Sequence, residues 1–112
     1  MSHPEFALQA ELIELLNRRG THNVFWFHPF NKASSPREGA MAKKMGVVAG
    51  TPDIIFFQHG TAWCLELKTG DGKLSPAQKA TIDKIVLSGI DVEVAYGYKD
   101  ALRILKARGV LL

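Results

Sequence analysis

The 112-residue sequence predicts an α/β fold, a mixed central β-sheet flanked by helices, and three observations predict it. Residues 53–68 hold two apolar, β-prone runs that meet at His59-Gly60, a pair suited to a two-residue hairpin turn. Residues 75–96 then read as a capped helix followed by another β-prone run, a succession most simply closed as a right-handed βαβ crossover with parallel pairing. Helical periodicity over residues 4–19 and 99–108 supplies flanking helices at both ends.

Each element has local punctuation. The first helix, residues 4–19, opens on Ser2-His3-Pro4-Glu5, which has capping-box form, and stops at Gly20. Residues 24–28 form a short β-prone run with alternate aromatics, and residues 29–34 a loop. Ser35-Pro36-Arg37-Glu38 is a second capping box with Pro at the first helical position, opening a helix that ends before Gly46. Residues 54–57 are apolar at every position, the pattern of a strand covered on both faces. Thr69-Gly70-Asp71-Gly72 is a loop. Ser75-Pro76-Ala77-Gln78 caps a third helix that ends near Ser88 and Gly89, residues 92–96 form a fourth strand, and the last helix turns Ala101, Leu102, Ile104 and Leu105 inward. No internal repeat or linker interrupts residues 1–112, which are expected to form one domain.

The hairpin has a chemical consequence. With His59 and Gly60 at the turn, Gln58 pairs with Thr61, and the same register sets Asp53 opposite Glu66. Facing residues share a sheet face with Cβ atoms roughly 5 Å apart, and like charges so placed repel. The two-residue period adds Ala62, Cys64 and Lys68 to that face and sends Trp63, Leu65 and Leu67 to the other. An exposed Glu66–Lys68 ion pair with Asp53 as a turn residue is the plain alternative. Two carboxylates and a lysine at the end of an apolar strand suit phosphodiester hydrolysis better. Carboxylate oxygens select hard cations such as Mg²⁺ or Mn²⁺, and an ammonium beside them can orient water or neutralise developing charge. One cysteine and four scattered histidines (His3, His22, His28, His59) give no zinc-ligand spacing, and Cys64 reads as core packing.

These residues carry a resemblance. Pro52-Asp53 followed by Glu66-Leu67-Lys68 resembles the signature of PD-(D/E)XK nucleases, whose restriction endonuclease-like core is a mixed sheet flanked by helices. Gly50-Thr51-Pro52-Asp53, Glu66-Leu67-Lys68-Thr69 and Leu74-Ser75-Pro76-Ala77-Gln78 together resemble the VRR-NUC family, including its short standalone members. The resemblance implies an Mg- or Mn-dependent deoxyribonuclease in which Asp53 and Glu66 bind the metal, Leu67 offers its carbonyl and Lys68 assists the water.

It also implies a further polar residue on the first helix. On a helical wheel, Phe6, Leu8, Leu12, Ile13, Leu15 and Leu16 centre near Glu5, with Gln9 beside it and Glu11 and Glu14 on the wet side. Glu5 and Gln9 are therefore the candidates, with Glu11 held in reserve. Gln78, at the family's active-site Gln, is expected to cap its helix, to contact water or substrate, or both. Phe27-His28-Pro29-Phe30-Asn31 matches the family imperfectly because Phe30 separates Pro29 from Asn31; His28 and Asn31 are candidates to approach the scissile phosphate, with a core position in the strand the stronger reading for His28.

Composition narrows the partners. The net charge of +3 and pI near 9.2 favour an anionic partner. Lys32, Arg37, Lys43 and Lys44 lead into the Asp53 strand with only Glu38 among them, and Lys73 and Lys79 follow Lys68, so these six are candidate phosphate contacts. A single cysteine and the lack of a secretory leader or membrane-length apolar run fit a reducing cytoplasm with no membrane partner, and a bacterial or phage-infected cell would fit as the source, although no residue pattern decides the host. No base-reading module is visible, which favours DNA shape over sequence. By resemblance to junction-resolving standalone relatives, a homodimer nicking branched DNA such as four-way junctions is expected, with the tail Val110-Leu111-Leu112 one candidate for the interface. Two other classes compete: a DNA-binding nuclease module active only with a partner protein, and an interaction protein whose carboxylates merely hold a cation.

Overall fold

A computed structural model describes residues 3–29 and 35–112. Ser2 of the first capping box, together with Phe30, Asn31 and Lys32, lies outside the described residues. The chain runs α1 (His3–Arg19), β1 (Phe25–Phe27), α2 (Pro36–Lys44), β2 (Ile54–Gln58), β3 (Thr61–Lys68), α3 (Pro76–Leu87), β4 (Asp91–Tyr96) and α4 (Tyr98–Ala107). The four strands form one mixed sheet in the order β1-β2-β3-β4, antiparallel except for the parallel β3–β4 pair that α3 connects. The hairpin turns at His59 and Gly60 with φ of 55° and 74°, the left-handed pair that matches strand twist. Gln58 therefore pairs with Thr61 and Ile54 with Leu65, the register expected from the turn.

One sheet face is the core. Leu8, Leu12, Leu15 and Leu16 of α1 and Ala101, Ile104 and Leu105 of α4 pack with Ile54, Phe56, Trp63, Leu65, Leu67, Ala95 and Val110. Burial of each large side chain contributes about 1.5–3 kcal/mol, which holds α1 and α4 on this layer. Trp63 and Gln58 are paired within the core: the Trp63 indole N–H donates to Gln58 Oε1 at 2.7 Å, and Gln58 Nε2 donates to the Arg108 carbonyl at 3.0 Å. Phe6, at the rim of the α1 stripe, is 65% exposed, so the inward direction expected for it does not hold; it lines a side cavity with Gln9, Ala10 and Ile13.

The opposite face carries Phe25, Phe27, Ile55, Phe57, Ala62, Cys64, Glu66 and Lys68, as the register requires. The α3 helix packs against β4 and covers part of it. Coverage of β2 is incomplete: Ile54 and Phe56 are buried, but Phe57 is 47% exposed, on the face where α3 packs against β4 and not against β2. The segment after α4 packs on the same molecule, with Val110 buried, Leu111 bridged to Gly20 and the Leu112 N–H donated to the Arg19 carbonyl. Among the described residues no helix is long and apolar enough to cross a membrane.

Candidate active site

The β2–β3 ladder ends at Ile54 and Leu65, and one further step brings Asp53 alongside Glu66. Asp53 Oδ2 accepts the Leu67 N–H at 2.8 Å, so the carboxylate is tied to the neighbouring strand. In a strand the N–H and C=O of one residue point to the same side. The Leu67 carbonyl therefore lies on the Asp53 side of β3, while its side chain is buried in the core.

Glu66 is 2% exposed. Its Oε2 accepts from Gln78 Nε2 at 2.9 Å and lies 3.9 Å from Lys68 Nζ, while its Oε1 is buried without a partner among the described residues. Lys68, itself buried, is the cation that joins the pair. Gln78 sits where it does because Ser75 caps α3 reciprocally: Ser75 Oγ accepts the Gln78 N–H at 3.1 Å, and the Ser75 N–H donates to Gln78 Oε1 at 2.8 Å. With Oε1 occupied by the cap, the Gln78 amide presents its N–H₂ group to Glu66.

Electrostatics bind the cluster together. Burial pushes the Glu66 carboxyl up to about 8, and the adjacent Asp53 charge pushes the same way against the pull of Lys68. Burial also raises Asp53, opposed by the Leu67 N–H, His28 and Lys68 and reinforced by Glu5. Glu5, half-buried on the first turn of α1, thus borders both carboxylates. A Cβ placed on Gly72 would lie 3.3 Å from Lys68 Cδ and 3.4 Å from Glu5 Oε2, so both side chains reach the loop after β3.

A partnerless buried carboxylate oxygen facing a second carboxylate is a costly arrangement for the protein alone. It fits a divalent cation. Among the described residues no three His, Cys, Asp or Glu side chains are grouped to hold a metal ion. The available donors are two carboxylates and a backbone carbonyl, a set suited to Mg²⁺ or Mn²⁺, which retain waters, and unsuited to a closed zinc site.

The VRR-NUC domain family model matches residues 4–99, a span that includes Glu5, Asp53, Glu66, Lys68 and Gln78. The chain belongs to the VRR-NUC family. A solved structure described as a VRR_NUC domain protein superposes over 96% of this chain and 88% of its own, at 23% identity and a TM-score of 0.73. Another, described as a VRR_NUC domain, covers 94% of this chain and 97% of its own at 17% identity and a TM-score of 0.61. At these identities the likeness concerns the fold. Comparison with curated proteins gives no match.

Other candidates on this VRR-NUC chain stand further out. Gln9 lines the cavity beside α1 with Phe6, Ile13 and His28, its Oε1 buried and without a partner among the described residues. Glu11 and Glu14 are exposed, Glu14 beside Arg18 at 3.6 Å, so the reserve candidate Glu11 faces water. Arg37, Lys43 and Lys44 are exposed on α2, which buries none of its residues. Lys73 and Lys79 are exposed on either side of the α3 cap.

Two features were not legible beforehand. His28 is exposed and not a core residue: its Nδ1 donates to the Asp53 carbonyl at 2.6 Å, because Phe27 pairs with Ile55 and so sets the next residue beside the end of β2. Thr81 Oγ1 donates to the Ala49 carbonyl at 2.7 Å, and Gly50 lies against the first turn of α3. The sequence signal for this seat was the Gly50-Thr51-Pro52-Asp53 context, and the structure gives Gly50 a φ of 78°.

Proposed function

We propose that the protein is a metal-dependent DNA endonuclease that cuts phosphodiesters at the Asp53–Glu66–Lys68 cluster. The observation that carries this reading is a buried Glu66 whose Oε1 has no donor among the described residues, whose carboxyl is close enough to Asp53 to be raised by it, and whose other oxygen is met by Gln78 and Lys68. In this reading Asp53, Glu66 and the Leu67 carbonyl hold one Mg²⁺ or Mn²⁺ ion. Such an ion supplies Lewis acidity toward a phosphate oxygen and acidifies water.

The chain's own residues perform the remaining work. The Leu67 N–H fixes Asp53, and Gln78 fixes Glu66, so both carboxylates are oriented before substrate arrives. Lys68 orients the attacking water or neutralises charge that develops on the phosphate, and its burial strengthens either effect. Glu5 borders the pair from α1 as a further acceptor for water or metal. Arg37, Lys43, Lys44, Lys73 and Lys79 are exposed cations that can track the nucleic-acid backbone.

The preferred substrate in this reading is branched DNA, nicked by a homodimer whose two sites address two strands. Its support is the resemblance to standalone VRR-NUC relatives. The test is cleavage of labelled linear duplex, single strand, flap and four-way junction with Mg²⁺, Mn²⁺ or EDTA, with Glu66→Ala alongside. Metal-dependent nicking of the junction that disappears in Glu66→Ala is the expected result. Binding without cutting transfers the reading to a module that needs a partner protein, and sedimentation as a monomer removes the dimer.

A further inference from the structure

The sheet face that carries the carboxylates continues into an open aromatic shelf. Phe25, Phe27 and Phe57 lie on it with ring centroids 5.9–6.1 Å apart, and they are 62%, 36% and 47% exposed. Phe25 and Phe57 are near parallel, at 18°. Register explains the continuity: Asp53, Ile55 and Phe57 alternate along β2 on this face, and Phe25 pairs with Phe57. Four residues of strand span about 13 Å, a few nucleotides' reach from Asp53 to Phe57.

We propose that Phe25, Phe27 and Phe57 are a base-stacking platform that takes unpaired nucleotides flanking the cleavage point. The proposal rests on the nuclease reading above and narrows its substrate to nucleic acid with exposed bases at the site. A flat ring can stack on any base, independent of sequence, provided that the base has left its duplex stack. Area favours this occupant over a second copy of the chain. With about 200 Å² for a whole Phe side chain, the three rings expose about 300 Å². That suits a few bases and is below the apolar share, about 450–520 Å², of the roughly 800 Å² per partner that a stable protein interface buries. The three-residue edge strand β1 is also too short to template an extended intermolecular ladder.

The experiment uses an oligothymidylate carrying one 2-aminopurine and a blunt duplex of the same length, both in EDTA so that binding is read without cleavage. Wild type should bind the single strand more tightly than the duplex and shift the 2-aminopurine emission. Phe25→Leu and Phe57→Leu each keep an apolar, strand-compatible side chain and should weaken single-strand binding about tenfold, with duplex binding and melting temperature unchanged. Phe57→Tyr should retain binding. Equal losses on both nucleic acids, or no single-strand preference in wild type, overturn the proposal. So does a wild-type dimer that the Leu variants convert to monomer, which would make the shelf an interface between copies. Base stacking without Mg²⁺-dependent cutting of any substrate would leave the platform standing and remove the nuclease reading instead.

Discussion

Gln78 donates its Nε2 to Glu66 Oε2 at 2.9 Å while its Oε1 accepts the Ser75 N–H at 2.8 Å, so a helix cap and a buried acid share one amide. The cap sets which end of the amide faces the acid. Glu66 Oε2 is thereby occupied, and Oε1 is left for another ligand.

Gln78→Ala removes both functions, and Ser75→Ala removes only the hydroxyl half of the cap. Gln78→Ala should lower cleavage and Mn²⁺ affinity about 10- to 100-fold, the usual effect of losing a group that orients a metal ligand. Ser75→Ala should cost about 1 kcal/mol of stability with a smaller loss of activity, because its backbone N–H still holds Gln78 Oε1. Calorimetric Mn²⁺ titration and urea melts of the two variants check the contrast; equal effects would mean that Gln78 matters only as a cap.

Stability of the metal-free protein should fall as pH rises. The Glu66 carboxyl titrates at about 8 in the folded chain against an ordinary 4.5. Between those values the folded chain keeps a proton that the unfolded chain has released. The stabilisation is whole below about 4.5 and gone above about 8, and Asp53, also raised, acts in the same direction. Asp100 has the opposite sign, since the Tyr96 N–H and Arg103 hold its carboxyl low, and it affects only the acidic limb. In EDTA the urea midpoint should drop between about pH 5 and about pH 8.5, a loss on the order of a few kcal/mol. Glu66→Gln should flatten that slope, and Mn²⁺ should restore stability most at the alkaline end. A flat wild-type profile would show that the carboxyls are not perturbed.

Much of this arrangement was readable in the sequence because short-range chemistry fixed it. His59-Gly60 with two β-prone runs sets the hairpin register, and register alone aligns Asp53 with Glu66 and adds Lys68. Ser75 and Gln78 announce the α3 cap. Periodicity tells which residues share a face but not what covers that face. Hence Phe57 reads as buried and is open, Phe6 reads as core and lies at the rim, and His28 is an exposed neighbour of Asp53. Those outcomes depend on which elements pack together: α3 on β4 and not on β2, α1 on β3 and α4, and a β1 of only three residues.

Lys68 is expected to act on the reaction more than on binding. Lys68→Met keeps the length and apolar stem of this buried side chain and removes its charge 3.9 Å from Glu66. Turnover should fall by about 100-fold or more with KM for a four-way junction nearly unchanged. Single-turnover and steady-state cleavage of one labelled junction separate the two parameters. A rise in KM with turnover intact would reassign Lys68 to substrate binding.

Gly50 tests whether α3 must be seated for the site to exist. A Cβ there would lie 2.5 Å from the Ala77 carbonyl group and 2.7 Å from the Gln78 nitrogen, on a backbone with φ of 78°. Gly60 has a similar φ, 74°, and open space around it. Alanine at either position incurs the left-handed backbone strain of about 1–2 kcal/mol, but only at Gly50 must α3 also move. Gly60→Ala should therefore lose that stability and retain turnover. Gly50→Ala should melt lower still, and its folded fraction should cut poorly, because the displaced first turn carries Gln78 away from Glu66. Turnover per folded molecule, with folding read by circular dichroism in the same buffer, decides it. If both variants cut alike once corrected for folding, the seat of α3 is a matter of stability and the Gln78–Glu66 contact forms without it.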